Sequence, residues 1–239
     1  MDMNLIKISR DNLTTKVYQQ IKEAIMSGRF QPGERVPIRQ LAEKMGTSIT
    51  PVREALLKLV SYGALEMKPA HPIAIPILDR DGYLENRAIR LVNEGLAAAE
   101  AARKIKRRQL NKLVRINEEM INAGREGRFK DSIAGNYAFH IEVCKAAEMP
   151  ALLEIIEILW LKIGPSLNIL ESRNLDNSPK AASNYHKELL QALEAGDPEA
   201  AKSAMEKDLI EGGEALLAYF DGQSRKAEPD TSGFINKIP

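Results

Sequence analysis

Apolar positions in the first eighty residues recur at helical spacing and then give way to alternation. Val17, Ile21, Ala24 and Ile25 fall at i, i+4, i+7 and i+8, which predicts a helix from about Thr14 to Ser27-Gly28. Ile38, Leu41, Ala42 and Met45 mark a second helix, closed by Gly46. Val52, Ala55, Leu56, Leu59 and Val60 mark a third. Ser48 is a natural N-cap for it, and Pro51 fits because it lies in the first turn. The stretch FQPGER between the first two helices reads as a turn. ALEMK and IAIPIL then read as a hairpin joined through PAHP. Three helices and a two-stranded wing predict a winged helix-turn-helix over residues 1–78.

DRDG, at 79–82, is a linker whose aspartates suit helix capping. Six helical segments follow, at 83–104, 107–127, 129–148, 150–171, 179–195 and 198–220, separated by AGREGRF, EMP, RNLDNSP and AGDPE. They predict an all-α antiparallel six-helix bundle within residues 79–222, so the chain is mainly α. ALLEIIEILWLKIG is apolar almost all round, as befits a central helix or one shared with a partner subunit. The closing stretch mixes Gly, Pro, Ser and charge and predicts a disordered tail over 223–239.

Composition narrows the class. With 239 residues, 44% hydrophobic and 28% charged, the chain can bury one large or two modest cores. A single cysteine excludes an internal disulfide and a cysteine-rich zinc module, and fits a reducing cytosol. No apolar run is long enough for a bilayer and no signal pattern opens the chain, so a cytoplasmic protein without a membrane partner is expected. The net charge of +1 hides an asymmetry: residues 1–78 hold 11 Lys/Arg against 7 Asp/Glu. An excess of positive charge there suits a phosphate-binding module.

The third helix sharpens this. Its apolar stripe begins at Val52, leaving Thr47, Ser48, Ile49, Thr50 and Arg53 free at the front. An arginine can reach a guanine or a phosphate, hydroxyls suit phosphate oxygens, and a helix N-terminus adds positive potential. The same features describe a capped helix in any small bundle. IMSGRFQPGERV and LAEKMGTSITPVREALLKLVSYGALE, however, resemble the DNA-binding domain of the bacterial GntR family over residues 13–77. The resemblance implies DNA contacts from Arg39, Arg53, Ser48 and Thr50. Arg35 is a further phosphate candidate, with a solvated turn charge as its alternative, and Thr47 and His71 complete the expected set. Two positions depart from the family: Ile49 replaces a usual arginine, and Pro72 replaces the wing glycine, which stiffens the wing tip.

The helical remainder resembles the FCD effector domain of the FadR subfamily, through ENRAIRLVNEGLAAAEAA, NYAFHIEV and HKELLQALEAGDPEAAKSAMEKDL. That resemblance implies a divalent metal site with Asn136, His140, His186 and Asp208 as ligands. Asn136 stands where the family has aspartate, and Asp208 where it has histidine. Zinc, nickel and manganese are the candidate ions, the harder donor set favouring manganese or magnesium relatively. The alternative is that these groups only bond each other or the effector. Cys144, four residues beyond His140, reads as buried filler. By resemblance Arg90 faces the cavity and can clamp a carboxylate, with Glu94 beside it at i+4 as a second effector residue or an intrahelical partner.

These readings predict a ligand-responsive transcriptional regulator, not an enzyme. It binds a palindromic operator in double-stranded DNA as a homodimer, because one short helix contacts few base pairs. A small carboxylate effector in the bundle, with an ion assisting, sets its DNA affinity. The competing readings are a metal-free regulator sensing a larger apolar acyl ligand, and a metal-dependent enzyme built on two histidines and a carboxylate.

Overall fold

The computed structural model describes residues 12–172 and 179–227, and the described part is helical. Ten helices run in order: α1 (Asn12–Met26), α2 (Ile38–Lys44), α3 (Ile49–Ser61), α4 (Arg80–Lys104), α5 (Arg107–Arg125), α6 (Phe129–Ala146), α7 (Pro150–Ser172), α8 (Pro179–Ala195), α9 (Pro198–Glu211) and α10 (Glu214–Ala227). The RNLDNSP break lies mostly at 173–178, outside the described residues. Asp79 caps α4, its carboxylate accepting from the Gly82 amide at 2.8 Å.

Helix α1 packs its Val17, Ile21 and Ile25 against Val52, Ala55, Leu56 and Leu59 of α3, all buried. Burying each large aliphatic side chain contributes about 1.5–3 kcal/mol, so α3 is held firmly by its rear face. Its front end stays outside this core.

The wing departs from expectation: no strand forms among the described residues. Glu66 and Ala74 make one antiparallel bridge, with amide-to-carbonyl bonds of 2.9 and 3.1 Å, and Arg35 bridges Ala74 on the other side. The reason lies in the register. With Glu66 opposite Ala74, the next hydrogen-bonded positions on the second arm are Pro72 and Pro76, and proline has no amide to donate. The ladder therefore stops after one pair. At the tip Ala70 takes φ +61°, an uncommon backbone for a residue with a Cβ.

The last expected helix is also two. Gly212-Gly213 separates α9 from α10, and a Cβ on Gly213 would lie 2.0 Å from the Tyr83 hydroxyl. That hydroxyl donates to the Gly213 carbonyl, so the break is where α4 meets the end of the bundle. Seven helices, not six, thus follow the linker among the described residues. Helix α10 runs to Ala227, into the stretch expected to be disordered. From 228 onward the expected tail lies outside the described residues.

Two apolar clusters organise the chain. One joins the α1–α3 core to α7, Tyr83 of α4 and Leu216 and Phe220 of α10. The other fills the far end between α4, α5, α6, α8 and α9, around Phe139, Leu113 and Met205. Helix α7 occupies the central position the sequence allowed it, in contact with α1, α4, α6 and α10. Between the clusters lies a layer of buried polar side chains.

Candidate functional site

Two regions collect the residues that the sequence singled out. The first is the front of α3. Arg35, Arg39, Ser48, Thr50 and Arg53 are exposed, and Ile49 is 39% exposed. Ser48 occupies the N-cap position with extended backbone, yet its hydroxyl makes no capping bond and remains available. Glu54, the acid nearest Arg53 in sequence, is engaged by the Thr14 hydroxyl at 2.9 Å. Thr47 is placed differently: its Oγ1 is shut off from solvent without a partner among the described residues. A phosphate contact from Thr47 would need that hydroxyl to rotate outward. His71 is exposed on the arm that precedes Ala74, its Nδ1 2.8 Å from the Pro69 carbonyl.

The second region is the buried polar layer. Arg90 of α4 donates from Nε to Glu94 Oε1 at 2.6 Å and lays its guanidinium 4.2 Å from the Trp160 ring centroid on α7. The other Glu94 oxygen accepts from His140 Nδ1 on α6 at 2.8 Å. His140 Nε2 lies 3.0 Å from Asp208 Oδ2 on α9. His186 of α8 points Nε2 at Asp208 Oδ1, 3.5 Å away, and its Nδ1 donates to Asn117 Oδ1 on α5 at 3.0 Å. His186 also stacks on Phe139 with centroids 3.9 Å apart. Six helices, α4 to α9, converge on this chain of contacts. Both oxygens of Glu94 are occupied, so it braces Arg90 and His140 from behind.

The electrostatics follow from the partners. Burial opposes charge on His140, but the carboxylates of Asp208 and Glu94 overrule it and hold the imidazole at about 9. Burial likewise opposes ionisation of Glu94 and Asp208. Arg90 and His140 outweigh it at Glu94, and the two histidines outweigh it at Asp208, so both carboxyls sit below their usual range. His186 is lowered, burial dominating, which leaves it neutral. Arg90 and His140 as cations then balance Glu94 and Asp208 as anions.

The geometry also fits a divalent ion. Ligand atoms of His140, His186 and Asp208 lie within 4.8 Å of one another. Each Nδ1 is held by an oxygen acceptor, Glu94 or Asn117, which turns each Nε2 inward, the outer-sphere arrangement that metal-binding histidines use; a metal ion would take the place of the proton on His140 Nε2. His186 Nε2 and Asp208 Oδ1 are buried with no hydrogen-bond partner among the described residues, two acceptors facing each other. A cation between them would satisfy both. Asn136, half-buried one turn before His140 on α6, remains only a candidate fourth ligand. Cys144 is buried in the first apolar cluster, its thiol pushed up mainly by burial.

Sequence reasoning missed three members of this layer. Asn117 interrupts the apolar face of α5 formed by Leu110, Leu113 and Met120, and a polar residue on such a stripe was the available signal. Asn86, one turn before Arg90, is buried and donates to the Leu159 carbonyl at 3.1 Å. Trp160 sat unremarked within the apolar helix.

Comparison with known proteins matches this division of labour. Residues 13–75 match the "Bacterial regulatory proteins, gntR family" description, and residues 87–210 match the FCD domain, a domain that can bind metal. The chain is 35% identical over 200 residues to the HTH-type transcriptional regulator McbR of Escherichia coli (strain K12), covering 83% of this chain and 90% of that one. It is 30% identical over 205 residues to a probable D-xylose utilization operon transcriptional repressor of Paenarthrobacter nicotinovorans, covering 86% and 89%. The solved structure of E. coli McbR/YncC superposes with a TM-score of 0.82 at 31% identity, over 88% of this chain and all of that one. These relatives are transcriptional regulators, which sets the metalloenzyme reading aside. The chain belongs to the GntR family of bacterial transcriptional regulators, with an FCD domain behind its DNA-binding helices.

Proposed function

We propose that this protein, a regulator of the FadR type within the family, binds an inverted-repeat operator as a homodimer and releases or tightens it when a small carboxylate enters the helical bundle. The observation that carries the proposal is the α3 tip. Arg53, Ser48 and Thr50 stand exposed on a helix whose rear is locked into a core, ready for base edges and phosphates. Arg39 and Arg35 flank it for the backbone, with His71 on the wing.

Dimerisation is supported by α4. Its inner faces meet α6, α7, α8 and α9, while Ile89, Val92 and Leu96 form an outward apolar stripe, Val92 being 70% exposed. A second copy of the same stripe is the occupant a two-fold operator calls for.

Charge balance supports a metal-assisted carboxylate. Without an ion the polar layer is neutral, with His140 protonated. With a divalent cation held by His140, His186 and Asp208 in place of that proton, the layer gains one positive charge. An effector carboxylate on Arg90 would cancel it. The ion, when bound, supplies a Lewis-acidic anchor for a carboxylate oxygen.

Helix α7 offers the route to the reading head. One face of it carries Trp160, in contact with Arg90 and His140. Another meets α1 and the turn that follows it: Lys22 pairs with Glu157, Gly164 lies against the end of α1, and Asn168 donates to the Phe30 carbonyl in the turn at 2.6 Å. A shift of α7 on effector binding would therefore move α1 and the α3 packed on it. A coupling of only about 1–3 kcal/mol changes operator affinity about 5- to 150-fold. Footprinting on the DNA flanking its own gene tests the proposal. A protected inverted repeat is expected; the absence of any protected sequence would refute it.

A further inference from the structure

Helix α3 opens with an apolar side chain among polar ones. Ile49 is its first residue and is 39% exposed, between the exposed Ser48 and Thr50. Arg53, also exposed, stands one turn behind it along the same edge, since positions i and i+4 lie one above the other. Pro51, Val52, Ala55, Leu56 and Leu59 turn the rest of the helix into the core. Leu57, the other large apolar residue of α3 left exposed, lies two turns further back. Branching at Cβ leaves isoleucine few rotamers, so the tip presents a fixed apolar knob.

A single apolar side chain on a surface needs no explanation by itself. Position makes this one informative. Every other group at the tip is a donor seeking an acceptor: the Ser48 hydroxyl, which caps nothing, the Thr50 hydroxyl, the Arg53 guanidinium and the first amides of the helix. These suit phosphates and base edges, whereas Ile49 would desolvate a donor or acceptor without answering it. The major groove displays one apolar group, the C5 methyl of thymine. Ile49 and Arg53 are separated by about 6 Å along the helix, less than two base-pair steps of about 3.4 Å each.

We infer that Ile49 is a specificity-determining residue that reads a thymine methyl in each half of the operator, within two base pairs of the one that Arg53 faces. The inference rests on the operator reading of the α3 tip given above and adds a base that the donors alone do not specify.

Selection of tight binders from random duplex DNA by the full-length protein supplies the operator. Each thymine in a half-site is then replaced by deoxyuridine, which removes the methyl and nothing else. One position should lose about fourfold in affinity, and about 15-fold when both halves are changed, as expected for one buried methyl in each. Ile49→Ala should bring thymine and deoxyuridine within about 1.5-fold at that position. Its side chain being exposed, this variant should melt as the wild-type protein does. Indifference of the wild-type protein to deoxyuridine at every position would overturn the inference and leave the operator reading intact. So would a selected half-site without thymine, or a deoxyuridine penalty that survives undiminished in Ile49→Ala. If the variant melts early, the wild-type scan alone decides. A selection that enriches no sequence would remove the operator reading and this inference with it.

Discussion

The α3 tip and the bundle centre use polar side chains in opposite ways. At the tip, Arg35, Arg39 and Arg53 are exposed and free of ion pairs among the described residues, and the Ser48 hydroxyl caps nothing. In the centre, Arg90, Glu94, His140 and Asp208 are buried and joined in one run of contacts. DNA is a uniform polyanion that can approach an open surface, so its contacts need no pairing beforehand. A small ligand must be recognised in a shielded space, where every polar group needs an answer in advance. Substitutions should therefore cost stability in the centre and affinity at the tip.

The largest effect is expected from Asp208→Ala. It leaves His140 as a cation without one of its two carboxylates and should cost about 3–5 kcal/mol in urea unfolding with chelator present. A loss below about 1 kcal/mol, the range of a surface pair, would show that the centre is not a paired ionic layer.

Next comes the pH profile of the metal-free protein. His140 is raised to about 9 in the folded state from an ordinary value near 6.5. The stability it contributes is thus complete below about pH 6.5 and disappears as pH rises through about 9, on the order of 3 kcal/mol at most. Thermal melts across that window should fall, and His140→Gln should flatten them. A flat wild-type profile would place a neutral histidine there.

Gly164→Ala probes the seam joining the two regions. Its new methyl would stand 2.6 Å from the Ile25 carbonyl oxygen and 2.7 Å from that of Met26, so α1 and α7 must separate. A loss of about 1–3 kcal/mol is expected, together with a weaker response of operator affinity to effector. A response of wild-type size would remove α7 as the route. Arg53→Ala completes the comparison. It should weaken specific operator binding by about 1–3 kcal/mol and leave stability within about 0.5 kcal/mol. Loss of stability with unchanged binding would reverse the roles assigned to the two regions.

Periodicity made the helices legible, because α1, α3 and α5 each bury one continuous stripe and α7 is long and apolar almost all round. The wing was not, because alternation in IAIPIL records which side chains face the core while Pro72 and Pro76 decide whether a ladder can form. The split at Gly212-Gly213 was hidden for a similar reason: it depends on Tyr83, 130 residues away in sequence. In the site, the motif residues Arg90, Glu94, His140, His186 and Asp208 do come together, since the spacing of each on its own helix fixes the face it presents. Asn117 and Trp160 come from helices with no motif, and Lys22–Glu157 joins positions whose pairing exists only in three dimensions. Local pattern carries no record of such contacts.

The most direct test is operator affinity in a competition titration, measured by fluorescence anisotropy against an excess of random duplex with and without a small carboxylic acid. Binding should be at least about 1,000-fold tighter to the inverted repeat than to random sequence, and that affinity should shift about fivefold or more when the acid is added. Weak, salt-governed binding that ignores sequence and ignores every acid would contradict it.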